Sequence, residues 1–271
     1  MFASFFKLVQ ENQPVATTGA IAHSYYWLTS GSEDTVYHNP DFKVPETADS
    51  AFSQGIAIYC IHGTFDQSAS FSRIAERLIA QGLPDFISSI HLVSFAGRYQ
   101  GNGIDYFSRQ LMEKIEKNGH QQVIFLGHSR GGLVASYAAE EYAGNRGINV
   151  HLVVNICSPF GGSYLAVKPL SWFSHSVLQM ENNSEFLKTL NEKLAQTNRK
   201  YYFIAAKKDW IVRMIDAFSL GYVKKHPGSF LISEREHSHL SIMSSHWLVG
   251  LIRDCLFKLA DIEERPLNCL H

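Results

Sequence analysis

The sequence has little charge of either sign. Its 24 Lys+Arg stand against 25 Asp+Glu, a formal net charge of −1, and charged residues make up 18% of the 271, against roughly 25% in average soluble domains. Without a basic excess, the chain lacks the electrostatic footprint of a nucleic-acid binder. Cysteine is scarce as well. Cys60, Cys157, Cys255 and Cys269 are widely spaced, with no CxxC pair and no Cys/His cluster at zinc spacing. That pattern argues against a disulfide framework or a metal site, and Cys60 and Cys157 read as small core residues. No run approaches the ~20 apolar residues of a membrane-spanning helix. The apolar start, MFASFFKLVQ, is soon interrupted by Glu11 and Gln13 and lacks a charged segment before it. The expectation is a soluble, cytoplasmic protein. Internal repeats and low-complexity tracts are absent too, which excludes solenoids and fibrous arrays.

What is present is apolar and periodic. Hydrophobic residues make up 45%, including 18 Phe, 12 Tyr and 4 Trp, enough to exclude general disorder. From residue 55 onward, buried-strand runs alternate with helical patterns. The predicted strands are Ile56–Ile61, Phe86–Phe95, Val123–Leu126, Val150–Ile156, Tyr201–Ala206 and Phe230–Ile232. Between them fall helices at Phe71–Ala80, from Ile104 to a stop at Asn118-Gly119, and at Gly131–Tyr142. Another carries Phe186, Leu187, Leu190 and Leu194 and is capped by Asn183 or Ser184. A long apolar helix over Leu240–Leu259 closes the series. Such alternation implies an α/β fold with a mainly parallel sheet covered on both faces. Ser24–Ser30 and Thr35–Phe42 predict an edge hairpin at about 20–45. The single domain expected over 1–271 has one irregular insertion, at about 160–184.

The strongest chemical signal is Gly127-His128-Ser129-Arg130-Gly131, placed after the third of these strands and before an Ala-rich helix. A GxSxG turn between strand and helix thrusts its serine above the sheet edge. A serine hydroxyl is a weak nucleophile and needs a base, and histidine titrates near working pH. Thirteen histidines compete. Chain order Ser, acid, His restricts the choice to those after Ser129. His239 is favoured because an apolar register of Leu240, Met243 and Trp247 begins at once; His237 is the close competitor, and His128 is expected to bond locally. The acid is Asp209, just past the fifth strand, with Asp216 as its rival inside an expected helix. For the developing oxyanion, the donors expected are the backbone N–H of Arg130 and that of Thr64 in His62-Gly63-Thr64-Phe65, with Phe65 as fallback.

Together these motifs resemble the α/β-hydrolase superfamily, in its lipase/esterase branch, over roughly residues 55–260. Ile156-Cys157-Ser158-Pro159-Phe160-Gly161-Gly162-Ser163 is similar to the TPHGGS segment of bacterial lipases, with Ser and Phe replacing Thr and His. Lys208-Asp209-Trp210-Ile211-Val212 is similar to that branch's acid turn. The resemblance implies a Ser-His-Asp serine hydrolase acting on carboxylic esters with an apolar acyl group, without metal or organic cofactor. A thioesterase, amidase or acyltransferase would use the same triad; an inactive interaction module would have lost it. Partners implied are a small-molecule or lipid ester and no nucleic acid, with transient membrane-surface contact compatible. The 160–184 insertion, dense in apolar residues such as Trp172 and Phe173, stands where such enzymes carry a lid or cap.

Overall fold

The computed structural model describes residues 33–44, 53–64, 66–97, 100–163, 174–233 and 235–263. The first arm of the expected hairpin, Phe65, and residues 164–173 of the expected insertion lie outside the described residues. Among the described residues, seven strands form one sheet: β1 Thr35–His38, β2 Ile56–Ile61, β3 Ile87–Val93, β4 Gln122–His128, β5 Asn149–Ile156, β6 Tyr201–Ala205 and β7 Phe230–Ile232. Their spatial order is β1-β3-β2-β4-β5-β6-β7. Only β1 runs antiparallel, pairing with β3 at one edge, and every other neighbour pair is parallel. The mainly parallel α/β sheet expected from the strand–helix alternation is therefore the architecture observed. β4, which leads into Ser129, occupies the middle of the sheet.

The helices are α1 Ser72–Ala80, α2 Ile104–Lys117, α3 Arg130–Tyr137, α4 His175–Gln179, α5 Glu185–Gln196, α6 Leu220–Lys225 and α7 His246–Glu263. They cover the sheet on two faces, and the period-2 alternation of strand side chains divides the core accordingly. Ile56, Ile58 and Cys60 of β2 join Ile74, Leu78, Leu248 and Ile252 on the α1/α7 face. Ala57, Tyr59 and Ile61 join Phe107, Leu111, Leu133 and Leu190 on the other. All six β2 residues are buried, as a strand packed on both faces requires. Ser184 caps α5, its side chain accepting the N–H of Leu187.

Two helix boundaries differ from the sequence expectation. The final helix does not begin at Leu240. A 3-10 turn over Ser241–Ser244 comes first, Ser245 is extended, and α7 starts at His246. Ser245 Oγ accepts the N–H of Leu248, so a capping serine interrupts an apolar pattern that looks continuous because both pieces pack on the same face. The helix after Ser129 likewise loses its α geometry after Tyr137 and runs on as a π-type turn, Ala138–Ala143.

Away from Ser129, the β2/β3 side of the sheet buries an aromatic stack. Tyr59 lies parallel to His91, with ring centroids 4.8 Å apart. The Tyr59 hydroxyl meets His120 Nδ1 at 2.7 Å and accepts from Asn118 Nδ2 at 3.0 Å. His91 Nε2 pairs with Ser89 Oγ at 2.9 Å. Burial, with His120 and His38 nearby and Asp34 opposing them, pushes His91 down to about 4. The folded chain therefore resists a proton that the unfolded chain takes up at about pH 6.5, so stability must fall as pH drops between these values, by up to ~3 kcal/mol. In His91→Phe, which keeps the stack but cannot titrate, urea midpoints should fall less steeply over that window than in the wild type. Equal slopes would contradict this account.

Candidate active site

Ser129 sits at the turn between β4 and α3 with φ 55° and ψ −127°. A positive φ is rare for a residue with a Cβ and persists only where surrounding contacts enforce it. Here the Ser129 N–H donates to Ile156 O at 2.9 Å, and its carbonyl accepts the Gly132 N–H at 3.1 Å. The flanking glycines are needed for space. A Cβ on Gly131 would run into the Ile61 carbonyl at the end of β2, and one on Gly132 into Ser158 Oγ. Helix α3 thus starts hard against the sheet, and the serine is the residue forced upward.

The loop after β2 lies against this turn. A Cβ on Gly63 would stand 3.0 Å from Ser129 Cβ, so only glycine fits without displacement. Thr64 follows, its Oγ1 buried and without a hydrogen-bond partner. The backbone N–H of Arg130, first in α3, belongs to the helical N–H groups that have no partner within their own helix. Both sequence-derived donors therefore belong to segments that border Ser129.

Asp209 and His239 meet at 2.6 Å, Asp209 Oδ2 to His239 Nδ1. The other carboxylate oxygen, Oδ1, accepts the N–H groups of Ile211 at 2.8 Å and Val212 at 2.9 Å. Burial opposes the charge on Asp209, but the hydrogen bond and charge of His239 and these two N–H groups outweigh it, holding the carboxyl below its ordinary value. With Asp209 ionised, Nδ1 carries the imidazole proton and Nε2 is left as an acceptor. His128 Nε2 bonds to the His239 carbonyl at 3.0 Å, so the residue preceding Ser129 ties the His239 backbone to the turn. The bond of His128 is thus a tertiary one, not the local one its position suggested.

The competitors are engaged elsewhere. His237 Nδ1 meets Ser233 Oγ at 2.5 Å and its ring leans toward Trp247; burial and nearby Arg235 push it down. Asp216 does not lie within a helix proper but in a 3-10 turn, Met214–Asp216, where it accepts Arg213 Nε at 2.6 Å.

Two features escaped the sequence reading. Cys157, read as core, is fully buried, yet its Sγ lies within 4.8 Å of the nearest donor atoms of Asp209 and His239. It follows β5 directly, at φ 49°, and β5 is hydrogen-bonded to β4 at the level of Ser129. Burial, reinforced by Asp209, keeps its thiol protonated. These three groups could in principle hold a metal, but the 2.6 Å contact is a hydrogen bond, shorter than the roughly 3.3 Å between two ligands of one tetrahedral ion. The second feature is the Arg130 side chain. It is buried over the Phe107 ring, 4.4 Å from the centroid, and donates to Ser176 Oγ on α4 at 3.2 Å and to the Gly63 carbonyl at 3.4 Å. Burial pushes it down to about 10, with Asp66 working in the opposite direction. The guanidinium joins the serine turn, the glycine loop and α4.

Residues 29–196 match the family model described as lecithin:cholesterol acyltransferase. No curated protein matches the chain by sequence. Among solved structures, the mature lipase BlEst2 of Bacillus licheniformis superposes over 82% of this chain and 98% of its own, with TM-score 0.57 and 15% identity. The monoacylglycerol lipase of Paleococcus ferrophilus does so over 84% and 99%, with TM-score 0.57 and 14% identity. The phospholipase PlaB of Legionella pneumophila, bound to thio-NAD, matches over 60% of this chain at 13% identity and TM-score 0.50. The chain spans 44% of that phospholipase's length. At these identities the structural matches establish the fold.

The pairing of His239 with Asp209 predicts a strongly downfield Nδ1–H proton resonance. It should persist in His237→Ala and vanish in Asp209→Asn. A resonance lost in His237→Ala alone would reverse the assignment of the two histidines.

Proposed function

We propose that this chain, which belongs to the lecithin:cholesterol acyltransferase family, is an ester-handling serine hydrolase whose catalytic triad is Ser129, His239 and Asp209. The observation that carries the reading is the strained Ser129 turn beside a buried His239–Asp209 hydrogen bond. In this scheme Ser129 Oγ attacks the ester carbonyl carbon while His239 Nε2 takes its proton. Asp209 holds the imidazole tautomer and balances the imidazolium. The N–H groups of Thr64 and Arg130 receive the oxyanion. Collapse of this intermediate breaks the carbonyl–alkoxy bond, and His239 returns its proton to the departing alcohol. Water, activated by the same histidine, then frees the acid. An alcohol in place of water would make the same acyl-enzyme a transferase, which is what the family's description names.

The substrate we propose is a lipid-like ester with an apolar acyl group and no strong charge. A near-neutral chain supports this reading. No helix among the described residues is long and apolar enough to cross a membrane. We further read residues 1–271 as one hydrolase domain with a cap-like insertion at about 160–184; the insertion includes α4, which Arg130 contacts through Ser176.

A fluorophosphonate probe should label the wild type and leave Ser129→Ala unlabelled; labelling that survives this substitution would overturn the nucleophile. On a p-nitrophenyl ester, His239→Ala should lower kcat by roughly 10³-fold or more, whereas His237→Ala should stay within about tenfold, since it supports the loop only through Ser233. The reverse pattern would hand the base to His237.

A further inference from the structure

The loop that positions Asp209 is unusually well anchored. Besides the two N–H bonds to its own carboxylate, the Ile211 carbonyl accepts Ser163 Oγ at 3.2 Å, and the Asp216 carbonyl accepts the Gly161 N–H at 2.8 Å. Val212 and Ala217 are buried against Ala205 at the end of β6. Yet this fixed frame turns large apolar side chains outward. Trp210 is 68% exposed, Ile215 67% and Met214 37%. Trp210 and Ile215 are the most exposed large apolar residues among those described. Solvating them lowers the stability of the folded chain, since each forgoes burial, and the frame leaves them no inward route.

Exposed cations lie on this loop and on the segment before His237. Lys207, Lys208 and Arg235 are exposed, and Arg213 is half-buried. Among the described residues nearby, Glu236 is the one exposed carboxylate, and it pairs with Lys208 at 2.6 Å. Asp209 and Asp216 turn their carboxylates inward to His239 and Arg213. The loop that exposes these apolar side chains also carries Lys207 and Lys208, and the Lys208 N–H bonds to the His237 carbonyl, two residues from the exposed Arg235. Such a surface matches an anionic lipid interface: apolar groups enter the headgroup–acyl boundary, tryptophan favours that depth, and cations meet phosphates.

We propose that the 207–216 loop docks the protein on an anionic lipid surface, with Trp210, Met214 and Ile215 inserted and Lys207, Lys208 and Arg235 against the headgroups. This rests on the reading of a lipid ester as substrate, and it adds the partner surface and the side that faces it. Trp210 adjoins the catalytic acid in sequence, so docking brings the end of the sheet that bears Ser129, Asp209 and His239 to the lipid. An acyl chain then reaches the serine over a short path. Soluble esters need no such contact.

The test uses the full chain carrying Ser129→Ala, so that lipids stay intact, and sedimentation with phosphatidylcholine vesicles with or without phosphatidylglycerol. Binding should favour the phosphatidylglycerol vesicles and weaken with salt. Adding Trp210→Ser and Ile215→Ser should reduce partitioning roughly tenfold or more. Lys207→Gln should cost about fivefold, the equivalent of ~1 kcal/mol per surface charge. With Ser129 intact, the Trp210→Ser, Ile215→Ser chain should hydrolyse a soluble short-chain ester as the wild type does, and lose turnover on vesicle-borne ester. Docking is overturned by unchanged partitioning in that variant or by absence of binding to either vesicle. A dimer that the same substitutions dissolve also overturns it, assigning the patch to a second copy of the chain. Trp210-dependent vesicle binding by a wild type that cleaves no ester would instead sustain docking and remove the hydrolase reading.

Discussion

A serine held at positive φ is the constraint around which this molecule is arranged. A non-glycine residue at φ 55°, ψ −127° is strained by ~1–3 kcal/mol, and three independent features oppose relaxation. The Ser129 N–H is fixed on Ile156 of the adjacent strand. The start of α3 is pressed so closely on β2 and Ser158 that Gly131 and Gly132 admit no Cβ. The strand that delivers the serine is flanked on both sides by parallel neighbours. The remaining groups are placed relative to this point. Gly63 brings its loop against the serine, and His128 ties down the backbone of His239. Arg130, next in sequence, extends the same turn sideways to α4.

The electrostatics follow from that geometry. A buried carboxylate is unfavourable unless its charge is met, and Asp209 meets this condition with two N–H groups on one oxygen and His239 on the other. Keeping the carboxylate charged fixes the histidine tautomer and leaves Nε2 available for a proton. Cys157 fills the space beside this pair as a protonated thiol, adding no second charge.

Much of this was legible in the sequence, because strands buried on both faces and a glycine-flanked serine between strand and helix are local patterns. The GHSRG segment falls at the β4–α3 turn, and the His-Gly segment after β2 lies against it. What the sequence could not resolve depends on tertiary contact. His237 and His239 share one short segment, and only the partners Ser233 and Asp209, from different parts of the chain, separate them. Cys157 was legible as buried, but burial does not say which neighbours a side chain has. The apolar pattern through Leu240 and Trp247 hid a break at Ser245, because a 3-10 turn and the long helix after it, packed on one face, have the periodicity of one continuous helix. The low charge content also has a plain distribution: most apolar side chains fill the two faces of the sheet, and a conspicuous remainder is exposed on the loop after Asp209.

The central claim is that one turn, one loop and one histidine converge on the same reacting atom. A crystal structure of the protein after reaction with an alkyl phosphonate tests it most directly. The account predicts phosphorus bonded to Ser129 Oγ, the phosphoryl oxygen between the N–H groups of Thr64 and Arg130, and His239 Nε2 within hydrogen-bond reach of the ester oxygens. A phosphonate on another residue, or one on Ser129 facing His237, would contradict it.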